Sequence, residues 1–224
     1  RRRHTRYISV TGVQTCALPI LNSNATTAEN NLGTYGVSAF NSNGFTVVDD
    51  SAGDYYVNGA SGGTYSGTPP NYVAWQWQAG QGTTSSNTSG SITSTVSANT
   101  TSGFSIVTYT GTGAAATIGH GLGAVPKMII VKERSTTRDW AVWQSPLAGN
   151  QVCFLNSTLA TQTDTAVWNN TLPTSSVFSV STSTYTNQST GTYVAYCFAE
   201  ISGFSKFGSY TGNGSADEIG RAHV

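Results

Sequence analysis

Short runs of apolar and β-branched residues, separated by turns rich in Gly, Ser and Thr, are the main pattern of this chain. Runs of this kind, when bounded by Gly or Pro, are typical of β-strands. Between residues 103 and 202 they are FSIVTYT, KMIIVKE, WAVW, QVCFLN, VFSVS and TYVAYCFAE. About seven short strands in about 100 residues, with turn signals at short intervals, predict an all-β fold, an antiparallel β-sandwich.

Two stretches of this region leave the local structure open. TIGHGLGAVP at 117–126 contains three glycines and is either a short strand or a turn. STLATQTDTAVW at 157–168 is either one helical turn or a loop.

In the run WAVW, Trp140 and Trp143 are three residues apart and point to opposite faces of a strand. We predict that one of them is in the core and that the other is exposed.

The stretch YVAWQWQAG at 72–80 has an alternating pattern. Val73, Trp75 and Trp77 fall on one face, which predicts a half-buried strand. We predict that this face lies in a core, together with the matching face of TYVAYCFAE, which consists of Val194, Tyr196 and Phe198.

Residues 81–102 are almost purely Gly, Ser, Thr and Asn. This composition predicts a linker or surface excursion that buries nothing, with a weak edge strand around SITSTVS as the alternative.

Parts of the pattern occur twice. YVAWQWQAG matches YVAYCFAE at 193–200, and GFSIVTYTGTG at 103–113 matches GFSKFGSYTGNG at 203–214; LNSNAT at 21–26 also resembles LNSTLAT at 155–161. Copies separated by loops of different length are typical of a module used in series. We predict the C-terminal part of a preceding module at 21–80, a linker at 81–102, a complete module at 103–202 and the start of a further, truncated copy at 203–217.

Both ends of the chain resemble translated sequencing-adapter sequence. The matching stretches are RRHTR and VTGVQTCALPI in residues 1–20, and EIGRAHV at 218–224. On this interpretation both ends are artefacts and lie outside the fold. The alternative is a basic N-terminal arm.

The charge balance depends on that interpretation. The whole chain has a net charge of +0, whereas residues 21–217 contain five Lys/Arg and nine Asp/Glu, a net charge of −4. A weakly acidic chain with few cations lacks the basic surface that nucleic acid or an anionic membrane attracts. The sequence has no run of about eighteen apolar residues, so it predicts no membrane span.

Reactive side chains are few. His120 lies in GHGLG and is either a ligand contact or a turn histidine bonded to the backbone, because no pattern supplies the partners of a general base. Cys153 and Cys197 lie within apolar runs and are predicted to be buried and free. Since no CxxC pair or His/Cys cluster is present, we predict no metal and no cofactor.

Acidic residues offer two further possibilities. Asp49, Asp50 and Asp54 could supply calcium ligands, but VVDDSAGDYY lacks the spacing of an EF-hand, and a solvated loop is favoured. A glycosidase needs two carboxylates that face each other across a cleft. The complete module has four acids without a pairing signal, and we predict no enzyme; these acids are Glu133, Asp139, Asp164 and Glu200.

Aromatic side chains are the remaining candidates for ligand binding. Trp168, Tyr185 and Tyr65 lie in polar, loop-like segments, where an exposed ring can stack on a sugar. With His120 they form our set of candidate ligand-binding residues. The alternatives are rings that cover the ends of a sandwich, or rings that pack between the chains of a fibre.

Residues 72–217 resemble a repeat module of tail-fibre and other virion proteins of marine bacteriophages, an uncharacterised family. The motifs that carry the resemblance are YVAWQWQAG, GFSIVTYTGTG, GHGLGAVPKMIIVK, WAVW, TYVAYCFAE and SKFGSYTGNG. The resemblance implies a jelly-roll or lectin-like sandwich in a virion that is assembled in the host cytoplasm. It implies other virion subunits as partners, a homotrimer as in tail fibres generally, and contact with host surface glycans. It assigns no site residues. The alternative function is a carbohydrate-binding module of a secreted bacterial protein.

Overall fold

The computed structural model describes residues 20–30, 36–41, 44–48, 72–80, 83–212 and 214. The chain divides into two compact units, residues 1–76 and 77–224. The predictions for Tyr65, for the aspartates at 49, 50 and 54, and for most of the two terminal segments lie outside the described residues.

A hairpin is the main described element of the first unit. Strand β1 (Gly36–Asn41) pairs antiparallel with β2 (Gly44–Val48). Ile20 and Leu21 are buried, and the backbone N–H of Ile20 donates to the carbonyl of Asn30 over 2.8 Å.

A large antiparallel sheet is the basis of the second unit. Its eight strands lie in the following spatial order: β10 (Gln162–Thr163), β9 (Gln151–Phe154), β8 (Ala141–Gln144), β7 (Pro126–Glu133), β12 (Thr192–Ala199), β5 (Phe104–Thr110), β4 (Ser94–Asn99) and β3 (Ser85–Asn87). A separate two-stranded ribbon consists of β6 (Ala116–Gly119) and β11 (Val177–Val180). Two helices of one turn each are α1 (Thr165–Trp168) and α2 (Thr184–Asn187). The predicted all-β antiparallel fold is confirmed.

The last strand of the chain lies in the middle of the sheet. β12 pairs with β5 on one side and with β7 on the other. Ala195 therefore lies between Val107 and Val131, and all three residues are fully buried. Since both edges of β12 are paired, it joins two halves of the sheet, and no other hydrogen-bonded strand in the described residues connects them.

One face of the sheet carries the main hydrophobic core. Val107, Val131 and Ala195 contribute from the sheet, while Ile118 and Phe178 contribute from the β6–β11 ribbon. The ribbon and the two helices thus form a second layer over this face. Burial between two layers is the arrangement that the sandwich prediction requires.

The opposite face of the sheet is buried as well. The ring of Phe104 lies 4.8 Å from that of Phe198, and Trp140 stacks on Tyr196 with centroids 6.5 Å apart. The predicted core face of β12 is thus confirmed for Val194 and Tyr196, and Phe198 is partly buried. The larger core, however, lies on the other face of the sheet.

Both tryptophans of β8 and its flank are buried, contrary to the prediction that one is exposed. Trp143 belongs to the main core, while Trp140 packs on the opposite face, so their predicted opposite orientation is correct. Their exposed fractions are 5% and 0%. The prediction of exposure failed because both faces of the sheet are covered.

The segment predicted as a linker is part of the sheet. β4 pairs with β5, Val96 lies opposite Val107, and only 3% of Val96 is exposed. The prediction that residues 81–102 bury nothing is therefore wrong, whereas the alternative, a strand around SITSTVS, is correct, although β3 and not β4 lies at the edge of the sheet. Small and hydroxyl-bearing residues fit here because their polar atoms find backbone partners, as when Ser94 Oγ donates to the carbonyl of Gly119 over 2.8 Å.

Residues 72–80 form no strand, contrary to the prediction from their alternating pattern. Val73, Trp75 and Trp77 are 59%, 47% and 48% exposed. The position that this sequence pattern suits, between β5 and β7, is already occupied by β12.

The structure defines the two stretches that the sequence leaves open, 117–126 and 157–168. Residues 117–119 belong to β6, and the chain then turns through Gly121 and Gly123, which have φ values of 72° and 70°. In the second stretch α1 forms because Asp164 caps it, its carboxylate accepting from the N–H of Ala166 over 2.8 Å.

The Val96→Ala substitution tests whether β4 belongs to the core. It removes buried methyl groups and should lower the free energy of unfolding by about 1–3 kcal/mol. The matched control is Val125→Ala, at a side chain that is 44% exposed, which should change it by less than about 0.5 kcal/mol. Urea unfolding followed by tryptophan fluorescence measures both. Equally small losses in the two variants would contradict the placement of β4.

Candidate functional site

The predicted ligand-binding residues are mostly buried. Trp168 ends α1 and is 2% exposed, and His120 is 0% exposed. Tyr185 in α2 is half-buried, with its ring 4.9 Å from that of Phe154. The expectation of an exposed ring at Trp168 is wrong, because the turn of α1 directs this residue of a polar segment into the core. A role of these residues in ligand binding stays a prediction.

His120 is held by two backbone groups. The N–H of Leu122 donates to Nδ1 over 3.2 Å, and Nε2 lies 3.2 Å from the carbonyl oxygen of Thr174. Nδ1 therefore accepts and Nε2 carries the proton, which is a neutral imidazole. Burial lowers the pKa of His120. The geometry corresponds to the backbone-bonded turn histidine, one of the two alternatives considered above.

Each acidic side chain of the predicted complete module has a structural partner. Asp139 accepts from Asn156 Nδ2 over 2.7 Å, and Asp164 caps α1. A carboxylate oxygen of Glu200 lies 2.9 Å from Lys206 Nζ. These contacts account for three of the four acids that we considered for catalysis.

The fourth acid, Glu133, is fully buried, and it is the centre of a polar cluster whose other members are partly or fully exposed. Its Oε1 accepts from Ser135 Oγ over 3.2 Å, and its Oε2 lies 3.7 Å from Arg138 Nε. The guanidinium of Arg138 also donates to Gln188 Oε1 over 3.0 Å. The cluster thereby ties the turn after β7 to the turn before β12.

Two stacked tyrosines continue this cluster into the core. Tyr109 and Tyr193 are cross-strand neighbours with ring centroids 5.2 Å apart and planes at 13°. Their hydroxyls donate to the carbonyls of Thr186 (2.7 Å) and Thr184 (2.8 Å). Burial raises the pKa of Tyr109 and, more than any other cause, that of Tyr193, so both stay protonated hydrogen-bond donors.

Lys132 is a buried amine that the sequence analysis missed. Its Nζ donates to the carbonyl of Glu133 over 2.8 Å. Burial lowers the pKa of Lys132 to about 8, although the charges of Glu133 and Asp139 oppose this shift. The available signal was the strand alternation, which places Lys132 on the same face of β7 as Met128 and Ile130.

Both thiols described by the structure are free, as predicted. Cys197 lies opposite Ser105 in the β12–β5 pair, and burial raises the pKa of its thiol to about 12. A thiol that stays protonated at neutral pH is a poor nucleophile. Cys153 is half-buried, with Sγ 3.4 Å from Thr161 Oγ1.

The described ranges contain neither a metal-binding cluster nor a membrane-spanning helix. Within them, no group of three or more His, Cys, Asp or Glu residues is placed to hold a metal ion. The helices described there are also too short to cross a membrane.

Exposed apolar side chains are concentrated in two segments, 72–80 and 203–212, which we call the repeat segments. Six of the eleven large apolar side chains that are exposed in the described residues lie there. They are Tyr72, Val73, Trp75, Trp77, Phe204 and Tyr210. The repeat segments therefore carry most of the large apolar side chains that the described residues expose.

Comparison with known proteins gives one family match. The model of a domain of unknown function, DUF7483, matches residues 1–219, which include the first twenty residues. No curated protein and no solved structure matches the chain.

The buried histidine predicts a pH dependence of stability. The unfolded chain binds a proton at His120 near pH 6.5, whereas the folded state resists it because its pKa is lower. The free energy of unfolding should therefore fall as the pH drops below 6.5, until it passes the pKa of the folded state. Urea unfolding at several pH values between about 5 and 7.5 measures the slope. His120→Gln should flatten it, and an identical slope in both proteins would rule out this origin.

Proposed function

The chain belongs to the DUF7483 family of domains of unknown function, and from this premise we propose that it is a non-enzymatic structural module of a bacteriophage virion. In this proposal it is used in series in an appendage of the tail-fibre type. The observation that carries the proposal is the internal repeat, in which two glycines keep the same backbone conformation in both copies.

The repeat is visible in the backbone conformation of four glycines. Gly103 and Gly113 begin and end the first copy with φ values of 67° and 75°. The corresponding Gly203 and Gly214 have φ values of 74° and 74°. This left-handed conformation suits glycine and disfavours other residues. The second copy thus keeps the turn conformations of the first, which supports a module used repeatedly.

Several side chains that could take part in catalysis bind instead to other groups of the protein, which supports a role without catalysis. The carboxylates of Asp139, Asp164 and Glu200 hold other parts of the fold, and both ring nitrogens of His120 bond to the backbone. A general acid or base must instead reach a substrate.

The resemblance of residues 72–217 to phage virion repeats supports the proposed location. In that setting the partners are other virion subunits, with a homotrimer as the arrangement typical of tail fibres. Assembly takes place in the host cytoplasm, and the module then acts as a spacer in the particle.

A second candidate function, glycan binding, has one specific observation in its favour. Trp77 is 48% exposed and Tyr210 is 88% exposed, and a ring with a free face can stack on a sugar. This function fits either contact of a virion with the host surface or a carbohydrate-binding module of a secreted bacterial protein.

Mass spectrometry of purified virus particles tests the main proposal. Peptides of this protein, or of chains that contain its repeat, should enrich with the density-gradient fraction that contains intact tailed particles. The purified protein should show no hydrolysis of bacterial envelope glycans. Peptides confined to the secreted, particle-free fraction would contradict the virion role, and robust hydrolysis would contradict the absence of catalysis.

Glycan-array binding of the intact protein tests the second function. If an exposed ring stacks on a sugar, Trp77→Ala should weaken binding by about 2–10-fold, equivalent to about 0.5–1.5 kcal/mol. The matched control is Leu159→Ala, which removes an apolar side chain that is 61% exposed outside the repeat segments. Equal binding by the two variants would exclude Trp77 from a glycan site, and a folded protein without any signal would favour the spacer role alone.

A further inference from the structure

Three buried polar atoms in the turn after β7 have no hydrogen-bond partner. They are Glu133 Oε2, Thr136 Oγ1 and Arg138 Nε. A buried polar atom without a partner destabilises a fold, and native proteins nearly always supply a partner from the chain or from ordered water. Since the three atoms belong to one turn, we looked for a single group that satisfies all of them.

Glu133 and Arg138 approach each other without forming a hydrogen bond. Oε2 of the carboxylate lies 3.7 Å from Nε of the guanidinium. An N–H···O hydrogen bond spans about 2.7–3.2 Å, so this pair attracts only as two charges. A polar contact of this length is one in which a bridging water is expected.

The remaining polar atoms of both side chains are already bonded within the protein. Oε1 of Glu133 accepts from Ser135 Oγ over 3.2 Å. The guanidinium of Arg138 donates to the carbonyl of Thr137 and to Gln188 Oε1, over 3.0 Å in each case. These bonds fix both side chains, so Oε2 and Nε cannot close the distance between them without straining other contacts.

The chemistry of the three atoms is complementary to that of water. A carboxylate oxygen accepts, the guanidinium N–H donates, and a hydroxyl does both. A water molecule donates two hydrogen bonds and accepts two, and a buried water typically makes about three. One water molecule can therefore satisfy all three atoms.

The charges around the site exclude an ion. Arg138 and the buried amine of Lys132, which donates to the carbonyl of Glu133 over 2.8 Å, both repel a cation. The carboxylate of Glu133 repels an anion. The site therefore suits a small neutral molecule that donates and accepts hydrogen bonds.

We propose that an ordered water molecule binds in the turn after β7, where it donates to Glu133 Oε2, accepts from Arg138 Nε and bonds to Thr136 Oγ1. The side chain of Glu133 is 0% exposed and that of Arg138 is 34% exposed, so solvent reaches the site along the guanidinium. The water turns a contact between two charges into a hydrogen-bonded one. It thereby strengthens the connection that Gln188 and Arg138 make between this turn and the loop before β12.

A high-resolution crystal structure of the intact protein tests the site directly. Density for one water should lie about 2.7–3.2 Å from both Glu133 Oε2 and Arg138 Nε. Direct contact of these two atoms within that distance, an absence of density at the site, or a bound ion would each overturn the proposal.

The Thr136→Val substitution tests the site in solution, because it replaces the hydroxyl by a methyl group of similar size. If Oγ1 bonds to the water, loss of that bond should lower the Tm of the intact protein by about 2–4 °C. If Oγ1 has no partner, its removal should leave the Tm unchanged or raise it. The matched control is Thr137→Val, at an exposed threonine of the same turn, which should change the Tm by less than about 1 °C.

Differential scanning calorimetry measures both variants. An unchanged or raised Tm in Thr136→Val, or equal losses in the two variants, would contradict the bound water. Neither result bears on the recovery of the protein from virus particles, so the water site and the virion role can fail separately.

Discussion

The pairing of β12 with β5 on one side and β7 on the other is the interaction on which the second unit depends. It joins β3–β5 to β7–β10 in one sheet and places apolar side chains of β12 on two buried faces. On one face Ala195 meets the core under the β6–β11 ribbon, and on the other Tyr196 stacks on Trp140. A strand that is paired at both edges and covered on both faces cannot be removed without exposing the interior of both halves.

Polar side chains near one end of β7 and β12 stabilise the fold, as the apolar core does. Glu133, Arg138 and Gln188 connect the turns at one end of β7 and β12, and the hydroxyl of Tyr193 reaches the same loop by accepting from the N–H of Gln188 over 2.7 Å. Glu133 Oε2 and Arg138 Nε have no hydrogen-bond partner and meet as an ion pair 3.7 Å apart, whereas the tyrosine hydroxyls are hydrogen-bonded to the backbone. The large apolar side chains that the described residues expose are, in contrast, concentrated in the repeat segments.

The strands of this chain are predictable from the sequence where both of their faces are buried. A strand that is buried on both faces is apolar along its whole length and shows no alternation. The composition of runs such as FSIVTYT and TYVAYCFAE is therefore enough to indicate a strand. β4 was misjudged because Val96 is an isolated apolar residue among serines and threonines, whose hydroxyls are satisfied only by the tertiary partners. Trp168 was misjudged because a single capped turn directs it inward. The prediction of a strand at residues 72–80 is wrong for the opposite reason. Their pattern is that of a strand, but β12 occupies the position between β5 and β7 that this pattern fits. The candidate site was the least predictable part, because the exposure of Trp168 and Tyr185 depends on how α1 and α2 pack on the sheet and not on the polar composition around them.

Residues 72–80 resemble β12 and precede it in the chain. Both sequences could therefore compete for the position between β5 and β7, which β12 occupies. Two differences favour the later copy. Gln76 and Gln78 stand where β12 has Cys197 and Ala199, side chains that are 0% and 2% exposed in the main core. An early copy inserted at this position would bury two amide groups among apolar side chains, at a cost of a few kcal/mol for each amide that found no hydrogen-bonding partner. The two glutamines therefore make residues 72–80 a poorer fit than β12 for the position between β5 and β7.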